Sequence, residues 1–164
     1  MTRVDSDSVT SVYFASTSAP YQEKLNAATV HAALNLKSTA RALDFAGSVR
    51  VGLGSLIMAN ESASVSGNAL VTQADVRMGA PEGAAEANGG DGAVAFVMGT
   101  ENVIAEVVAT YSETLEHLAL WRLPGQDYPK TWEDRFGLTQ VYTPLLLSGA
   151  QKILEESGVA AGDL

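Results

Sequence analysis

The 164-residue chain contains no cysteine. That excludes disulfides, thiolate-bound zinc and any cysteine nucleophile, and it makes the cytoplasm the expected compartment. Cations are also scarce: ten Lys and Arg face nineteen Asp and Glu, for a net charge of -9. They form no cluster, and phosphate-rich partners are held by clustered Lys and Arg, so neither nucleic acid nor an anionic membrane surface is an expected partner. No run approaches the roughly 20 apolar residues that cross a bilayer, and Met1 to Ser11 is polar, without the apolar stretch of an export signal. Neither a metal site nor a bound cofactor is expected.

What is present reads as one domain over residues 1–164, long enough for a real core. Hydrophobic residues make up 46% and charged residues 18%, so much of each element needs a cover, and that cover can include another chain. The chain is organised around Leu43 to Met58. It reads as a strand ending at Ala46, a Gly47-Ser48 turn, and a helix from Val49 to Ala59 whose apolar and glycine-rich composition predicts burial all round. A strand feeding a helix through Gly-Ser leaves open N–H groups at the helix N-terminus, where an anion or a nucleophile is stabilised. The plain alternative is that Gly47 and Ser48 only make the turn.

Val9 to Ala15 alternates like a strand. Ser16 to Tyr21 is a hydroxyl-rich turn, and Pro20 near a helix start predicts a helix to about Leu36. His31 on that helix reads as a packed or hydrogen-bonded residue and not as a base. Glu61 to Gly67 reads as a loop, and Ala69 to Ala74 as a strand covered on both faces. The order β-α-β-α-β predicts a mixed, mostly parallel sheet with helices packed on it. Asp75 to Asp91 is a long loop of the functional or interface kind. Ala93 to Met98 reads as a buried strand forming an antiparallel hairpin with Val103 to Thr110. Ser112 to Thr139 is irregular and holds both tryptophans, as a cover for the core or as a binding surface. Val141 to Ser157 is an amphipathic helix ending at Gly158, and Val159 to Leu164 reads as a loop.

Four segments together resemble the thiolase superfamily and, within it, the bacterial and archaeal hydroxymethylglutaryl-CoA synthases. They are Val12 to Tyr21, the Val49 helix, Gly90-Asp91-Gly92-Ala93-Val94-Ala95, and Trp121-Arg122 with Tyr128-Pro129. The resemblance implies an α/β fold of two similar halves, of which this chain looks like most of the first, without its opening strand and helix. It implies chemistry on CoA thioesters, with acyl-CoA as substrate and acyl transfer followed by carbon–carbon bond formation.

The family's cysteine falls on Val49, which cannot be acylated, and its acid/base glutamate on Thr17, whose hydroxyl cannot replace a carboxylate in proton transfer near neutral pH. His31 and His117 match no family position. The family would place an acyl-thioester pocket at the N-terminus of the Val49 helix, with Ser48, Arg77 and Glu86 as substrate-binding residues. Two readings follow. One is an acyl-CoA-handling enzyme of which the chain is a fragment or part, including cysteine-free reactions such as retro-aldol cleavage. The other is a non-catalytic thiolase-like subunit that packs as a homo-oligomer, a dimer through Ala69 to Ala74, or on a related subunit. A blander outcome is an α/β domain that retains no ligand.

Overall fold

A computed structural model describes residues 4–163; the expectations for Met1, Thr2, Arg3 and Leu164 lie outside the described residues. The chain gathers into two compact units, one running to Arg77 and including Glu82–Ile104, the other comprising Met78–Pro81 and the chain from Ala105 onward.

The first unit is built on β1 (Val9–Ala15), whose sequence leaves few polar side chains to face water. The strand is covered on both faces, and neighbouring residues enter different cores. Val12 packs with Val9, Leu36, Ala40 and Leu70 on one side. Tyr13 packs with Ala59, Ala69 and Val71 on the other, and its ring meets Phe45 edge-on at 5.8 Å. β2 (Arg41–Phe45) and β3 (Asn68–Asp75) flank β1, both parallel to it. β4 (Gly92–Met98) pairs antiparallel with β3, from Ala69 opposite Met98 to Asp75 opposite Gly92. The sheet order is β2-β1-β3-β4, the mixed and mostly parallel α/β arrangement expected.

Two helices connect the parallel strands. α1 (Ala27–Ala33) begins well after Pro20, which corrects the predicted start. The reason is a carboxylate on the neighbouring strand. Asp44 accepts from the backbone N–H groups of Asn26 and Ala27, each at 2.7 Å, and so satisfies donors at the helix start that no local side chain reaches. α2 (Val51–Ser66) starts two residues later than predicted and runs through the stretch read as a loop. Its Ser62 and Ser66 hydroxyls each accept from Arg41 Nη2 at 3.2 Å, and Gly67 at φ +98° ends it.

The α2 helix is not buried all round. Ser55, Ala59 and Ala63, spaced four apart, press against the sheet, while Leu53 and Val65 on the rest of its surface are 68% and 84% exposed. Small residues at that spacing let the helix approach closely, so the apolar excess falls on its outer side.

β4 likewise differs from expectation. It is an exposed edge strand, with Val94, Phe96 and Val97 all open to solvent, and its partner is β3 and not Val103 to Thr110. That segment is irregular, and Ile104 is 99% exposed, so the expected hairpin is absent and the outer edge of β4 carries no strand among the described residues. β3 is therefore interior, bonded on both edges, and is not available to pair with another subunit. Between β3 and β4 lies a short helix, α3 (Ala84–Asn88).

In the second unit β5 (Leu120–Trp121) pairs antiparallel with β6 (Lys130–Thr131), and α4 (Asp134–Phe136) leads through a π-helical stretch, Gly137–Tyr142, into α5 (Thr143–Ser157). Gly158 closes α5 in the left-handed region at φ +68°, its N–H donating to Leu154 O at 3.0 Å. The rings of His117, Trp132 and Phe136 lie 5.9 to 6.3 Å apart.

Candidate functional site

The parallel strands β1, β2 and β3 end at the same edge of the sheet, because Ala15 is in register with both Phe45 and Gln73. In open α/β sheets that carboxyl edge is where ligands sit. The turn from β2 delivers α2 to it: Gly47 adopts φ +111°, a conformation that side chains resist, and Val51 N–H closes the turn on Ser48 O at 3.0 Å. A cavity of about 390 Å³ opens there, lined by Ala15, Val49, Val51, Gly52, Gln73 and Asp75, with β4 from Gly92 to Val94 as its far wall.

Two polar side chains from β3 shape this cavity. Gln73 Nε2 donates to Gly52 O at 2.8 Å and to Ser55 Oγ at 3.2 Å, tying the first turn of α2 to the sheet. Asp75, at the strand end, accepts four hydrogen bonds on one oxygen. The N–H and hydroxyl of Thr17 reach Oδ1 at 2.7 and 3.0 Å, and the hydroxyls of Ser18 and Ser16 at 3.1 and 3.2 Å. Burial is the largest influence on this carboxyl and pushes its pKa up, but the bonds from Thr17, Ser18 and Ser16 together outweigh it and hold the group below the usual 3.8. Asp75 is therefore an anion at neutral pH.

The predicted site residues divide accordingly. Val49 lies in the turn before α2 and lines the cavity, 66% exposed. Thr17 and Arg77 come together, Arg77 Nη1 donating to Thr17 Oγ1 at 2.8 Å, and Arg77 N–H donates to Asp91 Oδ1 at 3.2 Å. Ser48 contributes its carbonyl to the turn, and Glu86 on α3 accepts from Glu82 N–H at 2.7 Å; neither lines the cavity. His31 donates to Lys37 O at 3.0 Å. Sequence reasoning missed Asp75 and Gln73. The signal for Asp75 was the run Ser16-Thr17-Ser18, three hydroxyl donors in a row, which needed an acceptor. Among the described residues no group of His, Asp and Glu is arranged to hold a metal ion, and no helix is long and apolar enough to cross a membrane.

With this geometry the chain can be set beside known proteins. No family model matches it. Among solved structures, a hydroxymethylglutaryl-CoA synthase complexed with CoA superposes with a TM-score of 0.86 at 19% identity, covering all of this chain and 42% of that one. The 3-oxoacyl-(acyl carrier protein) synthase III of Pseudomonas aeruginosa superposes at 0.79 with 19% identity, over 95% of this chain and 52% of that one. The fold is therefore thiolase-like.

A curated relative, the hydroxymethylglutaryl-CoA synthase of Picrophilus torridus, is 30% identical over 164 residues, 98% of this chain. The chain spans 46% of that relative's length. The resemblance read from the sequence holds: this is a thiolase-like chain similar to the hydroxymethylglutaryl-CoA synthases over the first half of their fold.

Proposed function

We propose that the cavity at the head of α2 is an acyl-thioester pocket, and that the chain is part of an acyl-CoA-handling enzyme that works without a cysteine nucleophile. The observation that carries this reading is the cavity itself, at the carboxyl edge of the parallel strands, with Val49 on its wall. A neighbour of the same fold is named for its complex with CoA, which supports the ligand class. Val49 offers no atom to acylate, and the Thr17 hydroxyl is engaged by Asp75 and Arg77, so acyl-enzyme chemistry has no nucleophile on this wall. A reaction that makes or breaks a carbon–carbon bond on the bound thioester, such as retro-aldol cleavage, needs none.

Equilibrium binding of acetyl-CoA and acetoacetyl-CoA to the protein, by calorimetry, tests the reading. Saturable binding of either supports it, and Gly52→Trp, which fills the cavity, should weaken that binding; absence of binding at millimolar ligand rejects it. A second reading is a non-catalytic thiolase-like subunit. It is favoured by the exposed apolar side chains of β4 and of α2, Phe96 and Leu53 among them, which a second copy or a related subunit would cover. CoA binding without turnover in the assembled protein would support that role.

A further inference from the structure

α2 contains two glycines, and packing within the described residues accounts for only one of them. A Cβ on Gly52 would meet Gln73 Oε1 at 3.2 Å, so the approach of the helix to the sheet explains it, whereas nothing lies within 4 Å of a Cβ on Gly54. Glycine is a poor helix former, and its use inside a helix suits a place where another chain segment comes close. Ser55, Ala59 and Ala63 face the sheet. At about 100° per residue, the opposite side carries Leu53, Gly54, Ile57, Glu61 and Val65. Leu53, Ile57 and Val65 are 68%, 39% and 84% exposed, and Met58 beside them 40%. From Val51 to Asn60 the helix holds no charged residue.

We infer that this outer face is closed by a second copy of the chain, α2 packing antiparallel on the partner's α2 about a two-fold axis. Gly54, Ile57 and Glu61 are spaced three and then four apart, the spacing of a seam between two helices. In the antiparallel register centred between Ser55 and Leu56, Ile57 enters the notch left by the partner's Gly54, and the symmetry makes that contact twice. A knob and a notch on one helix, at positions that exchange under a two-fold axis, fit a copy of the same chain. Leu53 and Met58 flank the seam on either side. Glu61 comes to the start of the partner's α2, where open N–H groups favour a carboxylate. Each chain carries a net charge of -9, so two copies repel over most of their surface and meet most readily where charge is absent. The chain spans 46% of the Picrophilus torridus relative, so two copies come close to that relative's length. β4 is also apolar, but it offers no such notch. The inference names the partner in the assembly reading above and does not depend on CoA binding.

The test is sedimentation equilibrium of the 164-residue protein, which should give a dimer of twice 17.1 kDa. Ile57→Glu should raise the dimer dissociation constant by about a hundredfold or more, because it sets two carboxylates in place of the two side chains that fill the notches. Phe96→Glu on β4 should leave that constant within about threefold of its starting value, the range of a surface change away from the contact. Because the chain has no cysteine, single thiols report the contact directly: a short bis-maleimide should join Ile57→Cys into a covalent dimer and should not join Phe96→Cys. A monomer overturns the inference, as does a dimer that Ile57→Glu leaves intact or that Phe96→Glu dissociates. Should Ile57→Glu fail to fold, as judged by circular dichroism, the milder Ile57→Cys decides by its cross-link. Calorimetry with acetyl-CoA keeps the two proposals apart: a dimer that binds no CoA thioester leaves this inference standing and rejects the pocket reading, and a monomer that binds one does the reverse.

Discussion

Replacing Asp44 with alanine removes the carboxylate that starts α1 from a distance. Asp44 Oδ2 accepts from Asn26 N–H at 2.7 Å and from Asn26 Nδ2 at 2.9 Å, and Oδ1 accepts from Ala27 N–H at 2.7 Å. The Asn26 amide nitrogen keeps Tyr21 O at 3.1 Å and Lys24 O at 3.0 Å, so the substitution orphans two donors, not three. Both belong to buried residues, with Asn26 7% and Ala27 0% exposed, where water cannot readily substitute.

An unsatisfied buried donor costs about 1–3 kcal/mol. Two of them at about 1.5 kcal/mol each predict a loss near 3 kcal/mol, or about a hundredfold in the folding equilibrium. Asp44→Asn retains one oxygen and should lose about half as much. Urea unfolding followed by circular dichroism gives the shift, and amide exchange at Ala28 and Thr29 shows whether the loss is local to α1. A loss under about 1 kcal/mol for Asp44→Ala, or equal losses for the Ala and Asn variants, would refute the long-range cap.

Gly54→Ala should stabilise α2 by up to about 1 kcal/mol through helix propensity, since nothing lies within 4 Å of its added Cβ. Gly52→Ala should not, because its Cβ meets Gln73 Oε1 at 3.2 Å and forces the amide off Gly52 O and Ser55 Oγ; thermal melts of the pair check the sign. The depressed pKa of Asp75 means its contribution to stability is fully present above pH 3.8 and is lost as pH falls through the lower folded value. Asp75→Asn should therefore flatten the acid limb of a stability–pH curve below about pH 4, and an unchanged limb would count against the network. Incubation with acetyl-CoA should leave no acetyl mass on any residue around Val49, and Val49→Cys alone should not produce condensation with acetoacetyl-CoA; a stable adduct or turnover in either experiment would show the site to be misplaced. Light scattering after size exclusion should show self-association, since the outer side of α2 and all of β4 but Met98 are exposed, and a single 17.1 kDa species independent of concentration would exclude it.

The sheet was legible because β1, β2 and β3 are short apolar runs bounded by polar turns, and period alone places their residues on two faces. The ends of α1 and α2 were not. Asp44 acts on Asn26 and Arg41 on Ser62 and Ser66 across the fold, and no local pattern encodes such bonds. The serine-rich end of α2 looked like a loop because serine favours turns when nothing holds its hydroxyl. That Val49 stands at the head of a helix came from the strand–turn–helix pattern and its site role from the family resemblance, whereas Ala15 on the same cavity wall was not identified. Thr17 and Arg77 were identified separately, and that they touch could not be read. Asp75 escaped because at the end of a strand an aspartate looks like a terminator, and its importance lies in three hydroxyls that arrive from the turn after β1.

The two cores meet at β1 and at its neighbour β3: Val12 and Leu70 belong to one, and Tyr13, Ala69 and Val71 to the other. Neither core can be completed while β1 is out of place, and a slip of one residue would exchange the contents of both. β1 leaves the ribosome before either of its partners, yet both its pairings are parallel and need a crossover to be made first. Its most apolar stretch must therefore wait in an open chain until β3 has been synthesised, which makes the interval between the two strands the period in which a holdase that binds extended apolar segments would matter most to this protein.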